Sequence, residues 1–299
     1  MKNIRYHIYA APFYAFVFVP FWLLYLISDF FFVVIYYIIG YRKHVVLTNL
    51  RNSFPQKTDE ELETIMRKFY IHFCDMFLET IKSLTMSRTQ LKMRYPIDDD
   101  SLKLAHQLHA KNQSVIIVMG HFGQWEVGGQ SFSVESPFQL FAIYHPLKNK
   151  FFDWLFNYIR THVGTKMISM SNTIREMIKN KDIVGGYTFI ADQTPSNSKE
   201  AYWTTFLNQD TPVLWGTEKL AKKFDYPVVF ASVRKIKRGY YKVFLEMLCE
   251  NPKNTDDGYI TALHTKKLEQ EIINQPEIWL WSHRRWKHTR AKINQAFQI

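Results

Sequence analysis

The stretch SVIIVMGHFGQWE, residues 114–126, is the most informative in the chain. Ser114 to Met119 is a short apolar run closed by Gly120, the pattern of a strand buried on both faces. His121 follows at once, and QWEVGGQSF (124–132) is compatible with a helix start. A histidine at a strand end stands on the rim of a sheet, where α/β proteins hold ligands. Glu126 lies five positions on, as His-x4-Glu, within the first turn of the expected helix. From there it can bend back to the imidazole. A carboxylate on one ring nitrogen fixes the tautomer and leaves the other nitrogen to accept a proton from a hydroxyl. Gly120 and Gly123 suit a tight turn with close approach of backbone to substrate. The bland alternative is a structural histidine beside a glutamate.

The rest of the body alternates strands with helices. FQLFAIY (138–144) reads as a strand, 149–163 and 172–182 as helices, and IVGGYTFIAD (183–192) as a strand. A helix around 213–224 precedes two strands, YPVVFASV (226–233) and YYKVFLEML (240–248), and 257–275 reads as a final helix. Thr58 stands three residues before Glu61 as a capping box. Leu62, Ile65, Phe69, Phe73, Phe77 and Ile81 then recur at helical spacing, so 58–83 reads as an amphipathic helix. The expected fold class is α/β: a mostly parallel or mixed sheet flanked by helices.

Composition bounds the rest. The 299 residues carry 38 Lys and Arg against 27 Asp and Glu, a net charge of +11. The mean hydropathy of −0.22 excludes a polytopic transporter. Two cysteines, Cys74 and Cys249, exclude a disulfide scaffold and a Cys-rich zinc site. Ile8 to Ser28 runs 21 residues without a charge, and after Asp29 the apolar run resumes to Ile39. The whole stretch would be roughly 48 Å of straight helix, too long for one perpendicular span. Pro12 and Pro20 can kink it, or its second part can lie in the membrane interface. It is longer than a signal peptide's apolar core and lacks a small-residue cleavage site, so it reads as a retained anchor. Residues 1–44 are therefore expected as an N-terminal membrane-anchoring segment and 45–299 as the body. Arg42, Lys43, His44 and Arg51 favour a cytoplasmic body by the positive-inside rule, while Lys2 and Arg5 pull the other way.

GHFGQWE (120–126), ADQTP (191–195), TPVLWGTEKLAKKFDYPVVFASVRK (211–235) and PEIWLWSHRRWKH (276–288) together resemble the bacterial lipid A late acyltransferases. These are members of the lysophospholipid acyltransferase superfamily. The resemblance extends from the N-terminal apolar segment to about residue 290. It implies a glycerolipid-acyltransferase-like fold with a catalytic domain on the inner face of the cytoplasmic membrane. It also implies acyl transfer from acyl-carrier protein or acyl-CoA to a hydroxyl of a lipid A precursor, with no cofactor or metal. It would make His121 the base and Glu126 its partner. Asp192-Gln193, at the end of a strand, would join the site, against a bland reading as a turn. Arg160 fits a family arginine position, either a clamp for an anionic group or a solvated helix charge. Family members often carry Tyr-Arg-Pro-Leu where this chain has Tyr144-His145-Pro146-Leu147. The acceptor therefore stays open between a lipid A precursor or related glycolipid and another lysolipid or aminolipid. A non-catalytic basic membrane protein retaining the fold is the remaining alternative.

His145 otherwise reads as a loop residue and His162 as surface. Backbone N–H groups near Gly123 are candidate oxyanion donors. Arg284, Arg285, Lys287, Arg290 and Lys292, interleaved with Trp279, Trp281 and Trp286, suit anionic headgroups or an acidic carrier protein better than nucleic acid. The bland reading is a solvated basic tail. His283-x4-His288 has no nearby Cys or acidic ligand and is not expected to hold zinc.

Overall fold

The computed structural model describes residues 2–16, 18–196, 201–288 and 290. Before the body lie α1 (Lys2–Tyr9), α2 (Ala11–Phe16) and α3 (Phe21–Val33), which continues as a π-helical turn over Val34–Ile39. The apolar N-terminus is thus not one rod. Pro20 caps α3, and Pro12 sits in the first turn of α2, where its missing N–H costs nothing. The segment long and apolar enough to cross a membrane is Phe21–Ile39, later than the uncharged run 8–28 suggests. Asp29 interrupts it, but Asp29 pairs with Arg238.

The body begins with α4 (Lys43–Ser53) and α5 (Asp59–Lys82). The Thr58–Glu61 capping box of α5 is closed in both directions. Two short helices, α6 (Arg88–Arg94) and α7 (Asp99–Ala110), lead into the sheet. Its strands are β1 (Val115–Met119), β2 (Gln139–Tyr144), β3 (Lys166–Ser169), β4 (Gly185–Ile190), and later β7 (Val228–Lys237) and β8 (Tyr240–Cys249). They lie in the order β3-β2-β4-β1-β7-β8. All neighbours are parallel except β7 and β8. The sheet is therefore mixed and mostly parallel, as the alternation of strand and helix implied. The crossover helices are α8 (Trp125–Glu135), α9 (Lys150–Thr161), α10 (Thr173–Lys179) and α11 (Gly216–Phe224), and α12 (Tyr259–Asn274) follows β8. Several elements have no counterpart in the sequence reading, α4, α6 and α7 among them. Four-residue β3 has too little pattern, and the hairpin β5 (Tyr202–Phe206)–β6 (Gln209–Val213) stands apart as a two-stranded sheet. Leu207 and Asn208 turn that hairpin with positive φ.

The main core is a continuous cluster around β1, all five residues of which are buried, and a small second cluster joins Ala10 to Leu155 and Ile159. The main cluster takes in Trp279 and Trp281 from the chain after α12. Phe77, expected among the core positions of α5, is instead 45% exposed, on the face of α5 that borders the cleft described below.

Candidate active site

Strand register builds the site. In the β1–β4 pair, Met119 stands opposite Ile190. Two residues beyond each partner come His121 and Asp192, so parallel pairing delivers both side chains to the same rim. His121 Nδ1 lies 2.6 Å from Asp192 Oδ1, and the His121 backbone N–H donates to Asp192 Oδ2 at 2.8 Å. The Trp279 indole N–H donates to the same oxygen at 2.8 Å. Gly120 lets the carboxylate come this close, since a Cβ there would stand 3.3 Å from Oδ2 and 2.7 Å from the Leu268 side chain.

The Asp192 side chain is 3% exposed and that of His121 17%. Burial pushes the Asp192 carboxyl up, but the His121 ring, the two His121 hydrogen bonds and the Trp279 bond outweigh it. They hold the pKa at about 2. The group is ionised and only accepts, so the Nδ1 proton belongs to the imidazole. Nε2 is left as the basic nitrogen, with the Gln193 amide nitrogen 3.3 Å away.

Glu126 is elsewhere. The carboxylate expected on the imidazole is bound bidentately by Arg160, Nε to Oε2 at 2.8 Å and Nη2 to Oε1 at 2.5 Å. Burial raises the Glu126 carboxyl, and the Arg160 charge and hydrogen bonds more than compensate, leaving it below its ordinary value. The physical reason for this correction is supply. The one ring nitrogen that needs a carboxylate already has Asp192, whereas Arg160 at the end of α9 needs a partner because it is largely buried. Arg160 is accordingly neither a free clamp nor a solvated charge. Both residues still border the cleft in front of His121, a cavity of about 270 Å³ that also meets Phe77, Phe156 and Leu280.

Gly123 is a second correction. Its φ is +66°, and a Cβ would stand 1.7 Å from the Val233 carbonyl oxygen. Its N–H donates to the Ile278 carbonyl at 2.9 Å, so that amide does not face substrate and the glycine is there for close packing. Behind Glu126 and Arg160 lies an apolar chamber of about 90 Å³ between α8 and the sheet, lined by Met119, Leu140, Ile143 and Met167 among others.

The basic C-terminal segment is only partly solvated. Arg285 is 1% exposed and donates from Nη2 to the Pro212 carbonyl at 2.8 Å. Its burial lowers its pKa to about 10. Arg290 pairs with Asp210, and Arg284 and Lys287 are exposed. Lys292 lies outside the described residues. His283 faces Thr194, whose backbone N–H donates to its Nε2 at 3.3 Å. Among the described residues no group of three His, Cys, Asp or Glu side chains is placed to hold a metal. His145 is an exposed loop residue at the lip of the cleft, and His162 is exposed with its Nδ1 on the Ile159 carbonyl. Trp279 and His283 belong to the site's surroundings. In the sequence they stood out through the PEIWLWSHRRWKH resemblance and the Trp-interleaved basic tail, but nothing in local spacing tells which strand end a C-terminal segment will reach.

The structure is a parallel-rich α/β sheet with an imidazole–carboxylate pair on its rim, facing a mainly apolar cleft. The bacterial lipid A biosynthesis acyltransferase profile matches residues 2–288, and the chain belongs to that family. It is 25% identical over 248 residues to the lipid A biosynthesis palmitoleoyltransferase of Escherichia coli (strain K12), covering 82% of this chain and 79% of that protein. The lauroyltransferase of the same strain is 26% identical over 260 residues, with the same coverage. A lipid A biosynthesis acyltransferase of Haemophilus influenzae is 24% identical over 255 residues, covering 82% of this chain and 78% of that protein. The chain is thus an acyltransferase for groups other than aminoacyl groups, of a membrane-associated family acting in lipid A biosynthesis.

Proposed function

We propose that the chain moves a fatty acyl group from an acyl thioester to a hydroxyl of a lipid A precursor or related glycolipid, with His121 as general base. The observation that carries this is the 2.6 Å contact between His121 Nδ1 and Asp192, which leaves Nε2 as the proton acceptor at the cleft. The acceptor hydroxyl gives its proton to Nε2 as its oxygen attacks the thioester carbonyl. Collapse of the tetrahedral intermediate breaks the C–S bond, and the imidazolium returns the proton to the leaving thiolate. Ester and thiol result, with no cofactor required. Asp192 stabilises the charged ring. In this scheme the Gln193 amide, whose nitrogen lies 3.3 Å from Nε2, donates to the developing oxyanion.

Glu126 acts in this scheme by holding Arg160 at the mouth of the apolar chamber, which has the character to take the donor's hydrocarbon chain. The donor is the thioester of acyl-carrier protein or acyl-CoA, and an acidic carrier suits a surface of net charge +11. The acceptor is reached from an anionic membrane surface, with the body on the cytoplasmic side of the inner membrane. His145 at the lip of the cleft, where relatives often carry arginine, favours a second reading in which the acceptor is another lysolipid or aminolipid.

Mass spectrometry of total lipids from a deletion strain, complemented with wild type or with His121→Ala, tests the scheme. One lipid is expected to lose the mass of a single acyl chain and to be restored only by wild type. Equal restoration by His121→Ala would remove the imidazole from the mechanism.

A further inference from the structure

The 19 residues Phe21–Ile39 have the length and apolarity of a membrane span, yet they are fastened to the catalytic body along their whole length. At the N-terminal end, the Arg94 guanidinium lies 3.4 Å over the Phe21 ring, and Tyr25 Oη donates to Glu79 at 3.0 Å. In the middle, Ser28 Oγ donates to Asp75 at 2.7 Å, and Arg238 bridges Asp29 and Asp75 at 2.6 and 2.7 Å. At the far end, Tyr36 is buried against Tyr70. Just beyond, Arg42 donates to the Ser282 carbonyl at 2.9 Å. From Phe21 to Tyr36 these attachments cover about 22 Å of helix axis.

A perpendicular span would carry the body with it. Arg238, its side chain 34% exposed, and the buried Asp75 would stand near the middle of a hydrocarbon layer about 30 Å thick, with the β7–β8 turn inside it beside Tyr25. Exposed charge and turn backbone at that depth are strongly unfavourable.

The outward face has the other geometry. Trp22, Leu26, Phe30, Val33 and Tyr37 form one stripe at helical spacing, each 45–66% exposed. Lys237 and Arg94, both against the Tyr240 ring, stand at one end of the stripe, and Arg42 and Lys43 at the other. An apolar stripe with cations at both ends fits the acyl–headgroup boundary of an anionic leaflet. On this side an apolar groove of about 420 Å³ runs between α3 and α5, lined by Phe31, Ile35, Phe73 and Phe77 among others. Phe77 also lines the cleft that holds His121.

We propose that α3 and its π-helical continuation lie in the plane of one leaflet and do not cross the membrane, so that both ends face the side bearing the catalytic body. A lipid then reaches His121 laterally past Phe77. This orientation rests on the tethers and the membrane association of the family, and it holds or fails independently of the acyl-transfer scheme.

The test uses the full chain with a protease-cleavable tag on a flexible linker before residue 1, in sealed inside-out membrane vesicles that expose the body. In-plane binding predicts cleavage of the tag without detergent. Protection until detergent is added would show that the segment crosses and would overturn the proposal. Nitroxide labels at Leu26→Cys and Tyr37→Cys supply a second readout in the same vesicles. In-plane binding predicts similar depths, whereas a perpendicular span separates them by about 16 Å.

Discussion

His121 and Asp192 are placed by register, and each has a distinct expected failure. Asp192→Asn keeps the shape but gives Nδ1 a partner that can also donate. The imidazole loses its fixed tautomer and its charge stabilisation, and kcat is expected to fall roughly 10²–10⁴-fold. The thermal midpoint should move far less. Purified enzyme assayed with an acyl thioester and lipid acceptor checks this, and an unchanged kcat would take Asp192 out of the mechanism. Arg160→Leu leaves the Glu126 carboxylate, whose side chain is 12% exposed, without its cation. Breaking such a pair is expected to cost on the order of 3–5 kcal/mol of stability. Adding Glu126→Gln to Arg160→Leu should recover part of that loss in denaturant unfolding. If the double variant is no more stable than the single, the pair is not coupled. At this level the sequence was half legible. His121 announced itself by following a buried strand, and Asp192 by ending another. Their pairing did not, because 71 positions separate them and Glu126 is the nearer carboxylate along the chain.

The helix α8 shows what an element adds. Its first turn carries Glu126, and its underside roofs the apolar chamber. A Cβ added at Gly129 would meet nothing within 4 Å, although the residue lines the chamber. Gly129→Leu is therefore expected to fold normally and to fill the chamber. Acyl products should then shift to shorter chains, by a few carbons, in mass spectra of the lipid product. Unchanged chain length with normal activity would place the donor chain elsewhere. The helix α5 with its capping box and β1 with its unbroken buried apolar run were readable because local patterns specify them. β3 and the β5–β6 hairpin were not, because four or five residues with mixed burial carry no period to recognise.

For the molecule as a whole, buried histidines set the response to acid. Burial, the largest cause in each case, lowers His72 to about 3 and both His264 and His283 to about 4. These folded values lie below the ordinary 6.5, so between pH 6.5 and 4 the unfolded chain binds protons that the folded chain does not. Their stabilisation is present above pH 6.5 and is lost as the pH falls towards 4. Each loss is on the order of 2 kcal/mol at pH 5. Glu79 works in the opposite sense. Burial raises it to about 7, so its contribution grows on acidification, but one carboxyl does not offset three imidazoles. The thermal midpoint should fall between pH 7 and pH 5, and by less in His264→Phe. An equal midpoint at both pH values would mean that these rings are not held neutral.

Composition and periodicity were sufficient for the α/β class, the apolar N-terminus and the strand-end position of His121, because each rests on neighbours within a dozen residues. The partner of His121, the confinement of Arg160 by Glu126 and the attachment of Asp29 to Arg238 came from the fold. Each joins residues from separate elements, and which strand lies beside which depends on packing the whole sheet rather than on any local pattern. The same packing turned a segment that reads as a membrane span into a helix bound along its length to the enzyme it accompanies.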